Sequence, residues 1–202
     1  MILHPVQKLL IVLIAFLIPM NVWAIGSPST SFFMKGLYHP MMVPAHLIAL
    51  FALGLLSGQQ GWKAIRIVLP LFIAVLVASL IMTRYQSPSW NAEWVLLLLV
   101  AVTSILIVFK LEMATIVLLV IACLAAVAIG MDSAVPRIPG LQPSKIYAHL
   151  AGSGAFSSLL LFIISLIALT FRNVLDGVIL RILGAWSAAG AREHASRPGP
   201  TS

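Results

Sequence analysis

Leu96–Phe109 reads LLLLVAVTSILIVF, fourteen residues in which only Thr103 and Ser104 are polar. A transmembrane strand alternates apolar and polar side chains, whereas this run is continuous. In hydrocarbon only helices and closed barrels satisfy every backbone group, so the continuous run selects the helix. The whole chain has the same character. Of its 202 residues 61% are hydrophobic and 8% charged, and mean hydropathy is +1.11, outside the range of a soluble domain. The fold class is therefore all-α, a polytopic membrane helical bundle.

Outward from this run, spans are expected at about 37–57, 67–83, 94–109, 113–131 and 146–171, each near the 17–25 residues that cross hydrocarbon. The N-terminus has Lys8, a short apolar core and a small-x-small ending at Val22-Trp23-Ala24, which reads as a signal peptide over residues 1–24. The alternative is a retained first span. From Val174 to Trp186 apolar residues recur on one helical face, with Asp176 and Arg181 largely opposite, giving an amphipathic helix that is either a sixth span or lies in the interface. The count is thus five to six helices over residues 25–191, and the polar tail 192–202, with Pro198 and Pro200, is expected to be disordered.

Twelve Lys+Arg against five Asp+Glu give a net charge of +7. These charges sit mainly between apolar runs and in the tail, where they set topology and form no nucleic-acid footprint. Alternating sides from an outside start place Lys63, Arg66, Lys110 and Arg172 inside, and Asp132, His149 and Glu93 at one outer level. Cys123 stands alone in an apolar run, so no cysteine cluster forms within the chain, and it reads as a packing residue. Gly54 and Gly58, with Ala148, Ala151, Gly152 and Ala155, form small-residue faces for close helix contact, either within the bundle or with partner subunits or a second copy. No phosphate-binding glycine loop, nucleophile elbow or zinc-protease helix is present, so no enzyme is expected.

The candidate site lies in GLYHPMMVPAH, Gly36 to His46. On a straight helix His39 and His46 share a face two turns apart, roughly 10 Å along the axis and too far to share an ion. Pro44 lies between them and is expected to kink the helix by removing the bond to the carbonyl of Pro40. Irregular backbone at membrane depth is tolerated only against protein or a water-filled cavity, so the stretch marks a site. Asp132 and His149 are candidates for the same cluster, with Glu93 as an interfacial anchor. Imidazole, carboxylate and carbonyl oxygen suit Ni(II), Co(II), Zn(II) or Cu(II). Met34, Met41 and Met42 nearby read as packing. A haem b held between His46 and His149 is a further reading.

The segment GLYHPMMVPAHLIALFALGL resembles the first mature helix of the HupE/UreJ family, which carries H-P-x-x-G-x-D-H before an apolar stretch. His39, Pro40 and His46 match; Val43 stands at the family's glycine and Ala45 at its aspartate. RILGAWSAAG, Arg181–Gly190, resembles the family's closing helix. The resemblance implies a nickel or cobalt permease in a bacterial inner membrane, its mature N-terminus outside, binding metal through His39 and His46 and passing it inward. The missing aspartate would offset less of a cation's desolvation, a role Asp132 is placed to take over from another helix. The competing expectation is an accessory subunit of a larger membrane complex, in which both histidines are structural.

Overall fold

A computed structural model describes residues 28–83, 92–109, 114–134 and 142–171, with helical positions at 182, 185, 186, 188 and 189. Six helices follow in order: α1 Pro28–Met42, α2 Pro44–Gln60, α3 Trp62–Met82, α4 Glu93–Val108, α5 Thr115–Asp132 and α6 Pro143–Phe171. The described residues contain no strand. The signal peptide at 1–24 and the tail at 192–202 lie outside the described residues, as does most of the amphipathic segment.

The expected kink is a complete break. Val43 is extended, with φ −102° and ψ 100°, and Pro44 opens α2. A residue before proline is driven out of the α region, and a proline is favoured at a helix start because its missing N–H has no partner there anyway. Val43's carbonyl then receives the N–H groups of His46 at 3.0 Å and Leu47 at 3.4 Å. The two helices meet at a bend of 75°. Pro40 stays inside α1.

Each of the five expected spans contains most of one of the helices α2 to α6. Among the described residues three helices, α3, α5 and α6, are each long and apolar enough to cross a membrane, and the bent α1–α2 pair passes the same test when taken together. The span expected at 94–109 is α4, displaced by one residue, and its 16 residues reach about 24 Å at 1.5 Å per residue, a little under a hydrocarbon thickness of about 30 Å. The chain is a multi-pass membrane protein. Its outward side chains agree: Trp94, Leu98, Ile105, Ile116 and Val120 are exposed on α4 and α5, a surface that water would penalise and lipid favours.

Helix α2 is the axis of the bundle. It is buried nearly all round, including Leu50, Leu53, Leu55 and Leu56, as expected of a helix apolar on every face. It packs on α6, α4, α3, α5 and α1, while α6 also covers α1 and α3. Gly61, with φ 100°, reverses the chain between α2 and α3 in a single residue, a conformation open to glycine because it has no Cβ. Among the small residues, Gly54 lies against Ile164, and Gly58 against Ala168 and the Ser165 backbone. Gly152 meets the α1 backbone at Phe33 and Leu37, and Gly36 meets the backbone of His149. Ala151 and Ala155 instead face outward, in an open groove between α3 and α6 lined by Ile73 and Val77. Hydrogen bonds tie the helices further: Gln59 Nε2 donates to Ile107 O at 3.2 Å, and Ser79 Oγ to Ala126 O at 3.2 Å.

At Gly36 and Gly152 an added side chain would meet main chain, which cannot move aside as a flexible side chain does. Gly36→Val and Gly152→Val should each destabilise the protein by about 1–3 kcal/mol through overpacking, read as earlier thermal unfolding in detergent. Wild-type stability in both would contradict the α1–α6 crossing.

Candidate functional site

Four residues from four helices converge at one end of the bundle. His39 lies in the last turn of α1, His46 in the first turn of α2, Asp132 is the final residue of α5, and His149 is in the second turn of α6. The 75° bend at Val43 replaces two turns of straight helix, so the His39 and His46 rings stand edge to face with centres 5.9 Å apart. His149 approaches His39 from the other side, with ring centres 5.6 Å apart. Asp132 Oδ2 lies 2.9 Å from His46 Nε2, and the Asp132 backbone contacts the His39 ring. All four residues expected from the sequence are therefore brought together, with His39 at the centre. Glu93 is half-buried in the first turn of α4.

Burial sets the electrostatics. His46 is fully buried, whereas the Asp132 side chain is 26% exposed, so the carboxylate connects the buried imidazole to the surface. His39 Nε2 and both ring nitrogens of His46 are buried without a hydrogen-bond partner. The 2.9 Å approach of Asp132 to His46 is thus a contact in which the oxygen lies off the ring N–H direction. Buried polar atoms without partners are costly, and they cluster where a ligand supplies the missing interaction. Among the described residues no three such side chains yet converge on a single ion position. Two imidazoles on one ion, with metal–nitrogen bonds of about 2.0–2.1 Å at a tetrahedral angle, would bring their ring centres to about 5 Å. The observed spacings are slightly wider, so the rings must close inward to grip an ion together.

The surrounding residues explain why the rings meet. Gly36 and His39, and His149 and Gly152, are each three residues apart and so share a helix face. Close backbone approach at the two glycines brings the two histidines together. Gly36 was not singled out by the sequence reading, although its spacing from His39 mirrors that of Gly152 from His149. Ser153 donates to Ser133 at 3.2 Å, pinning α6 to the turn after Asp132. Lys35 and Lys145 flank the Phe32 ring, 5.1 Å and 5.6 Å from its centre, where each gains a cation–π attraction. Ala45, at the family's aspartate position, is 1% exposed and lies within the apolar core. Met41 and Met42 are exposed at the break.

The fold and site define a multi-pass helical membrane protein with a buried histidine–carboxylate cluster near one end. A family model described as HupE / UreJ protein matches residues 12–192, and the chain belongs to the HupE/UreJ family. No match was found among curated proteins or among solved structures.

The His46–Asp132 contact should appear as energetic coupling. In a double-mutant cycle with His46→Ala and Asp132→Asn, unfolding in detergent should show a coupling of at least about 0.5 kcal/mol, the range for residues in direct contact. Strict additivity of the two substitutions would contradict the contact.

Proposed function

We propose that this protein is a permease for a divalent transition metal, nickel or cobalt, which binds at the outer end of the bundle and passes inward. The observation that carries this reading is the meeting of His39, His46, His149 and Asp132 in one cluster, with a carboxylate at His46 although the neighbouring position is Ala45. Membership of a family associated with nickel and cobalt transport supports it. Imidazole nitrogen and carboxylate oxygen together suit Ni(II) and Co(II), with Zn(II) and Cu(II) chemically admissible competitors. Asp132 offsets part of the charge that must leave water, and its exposed edge is the point of entry. The loose ring spacing serves transport, because a permeant ion must be bound firmly enough to enter and weakly enough to leave.

A second reading, an accessory subunit of a larger membrane complex, draws on one observation: Ala45 is packed in the apolar core. Copurification with one partner at a fixed ratio, without metal uptake, would favour it. The haem reading has less support, since His39 packs between helices against both the His46 and His149 rings.

His39→Ala and His46→Ala should each reduce cellular nickel or cobalt accumulation while the protein remains inserted at normal level. Uptake should also weaken in acid, because only the neutral imidazole binds metal and protonation removes that form. Unchanged accumulation in a normally inserted variant would take that histidine out of the site.

A further inference from the structure

Ser157 differs from the other buried hydroxyl groups of this bundle. A serine inside an apolar helix normally turns its hydroxyl back to the carbonyl four residues earlier. Ser57 donates in this way to Leu53 O at 2.8 Å, Ser165 to Leu161 O at 2.7 Å, and the neighbouring Ser158 to Gly154 O at 2.7 Å. Ser157 is fully buried, yet its Oγ has no partner. It is the one such hydroxyl among the described residues.

Its position links this orphan to the cluster. His149, Ser153 and Ser157 follow one another at four-residue spacing along one ridge of α6. Gly54 lies against Ile164 and Gly58 against Ala168, so α2 and α6 run parallel there with the same offset at both contacts. Carried two turns toward the cluster, that register sets Ser157 level with Leu47, the residue after His46. His46 Nδ1, on the ring's other side from the Asp132 contact, is likewise buried and unpartnered. By that register the two orphan polar atoms, one in the cluster and one on α6, fall within about one residue's rise of each other along the helix axes. At the far end of α2 a third, Gln59 Oε1, is buried without a partner, about 20 Å from His46 along the helix axis.

We infer that Ser157 is the second station of the metal's route, its hydroxyl oxygen receiving the ion, or a water carried on it, as it leaves His46. The inference rests on the permease reading. A neutral hydroxyl is a weak ligand, and weakness is what a transit site needs after an anchored imidazole–carboxylate site, because conduction fails if any site holds the ion too long. It also accounts for a polar group at a position where, without an ion, it costs stability for no internal bond. Ser157→Ala should therefore be neutral or stabilising to the fold while impairing transport, a combination that a structural serine does not show.

The test uses the full-length protein reconstituted in liposomes, with external Ni(II) or Co(II) and internal metal as the readout. Ser157→Ala should lower the maximal uptake rate about fivefold, the scale of one lost neutral contact. Half-saturating metal should stay within about twofold of wild type, since the cluster's ligands are intact. Thermal unfolding should occur at or above the wild-type temperature. Wild-type uptake in Ser157→Ala would overturn this inference and leave the permease reading standing. Slower uptake together with earlier unfolding would assign Ser157 a packing role and also overturn it. Absence of uptake by the wild-type protein itself would remove the permease reading, and this inference with it.

Discussion

The architecture of the site depends on the peptide unit at Val43-Pro44. A proline at this point removes a helical hydrogen bond and crowds the preceding turn, and it drives Val43 in front of it away from the α region. The chain therefore breaks and restarts, turning by 75°. Without the turn His39 and His46 would lie two turns apart on a continuous face, about 10 Å along the axis. With it their rings meet, and α1 lies across α6 close enough for His149 to join them. The break sits at one end of the bundle, with Met41, Met42 and Pro44 exposed on one side of it and Ala45 and His46 buried on the other.

A second constraint is the shortage of negative charge. The chain holds five acidic residues, and the position beside His46 that carries aspartate in the family pattern is Ala45. The carboxylate arrives instead from the end of α5, where Asp132 reaches the same imidazole across the bundle. Delivery from another helix has a mechanical consequence. The contact depends on α5 keeping its height relative to α2, which the Ser79–Ala126 and Ser133–Ser153 hydrogen bonds help to hold through α3 and α6. Metal binding and helix packing are coupled in such a site, as they are not when both ligands sit on one helix.

Much of this was legible in the sequence, for identifiable reasons. Continuous apolar runs define helices in lipid whatever their neighbours, and the unusual residues His39, Pro44, His46, Asp132 and His149 stand out because polar or irregular groups at membrane depth need a purpose. The severity of the break was underestimated, because a proline in an apolar run is equally compatible with a kinked helix and a new start, and packing decides between them. The span at α4 was placed to within one residue, because its continuous apolar run leaves the helix few other places to start or stop. The small residues of α6 divide, Gly152 packing within the bundle while Ala151 and Ala155 face outward, since a small-residue face has no marker for which neighbour it meets. Ser157 carried no signal of its own: serine in an apolar helix is ordinary, and only the absence of the usual back-bond distinguishes it.

The central claim is that the four converging side chains close on one divalent ion. X-ray absorption of the Ni(II)- or Co(II)-loaded protein reads the first coordination shell directly, because imidazole rings scatter differently from water or carboxylate oxygen. The account predicts at least two imidazole nitrogens at about 2.0–2.1 Å together with oxygen, and a changed oxygen contribution in Asp132→Asn. A shell of oxygen alone, identical in wild type and in the protein lacking His39 and His46, would contradict it.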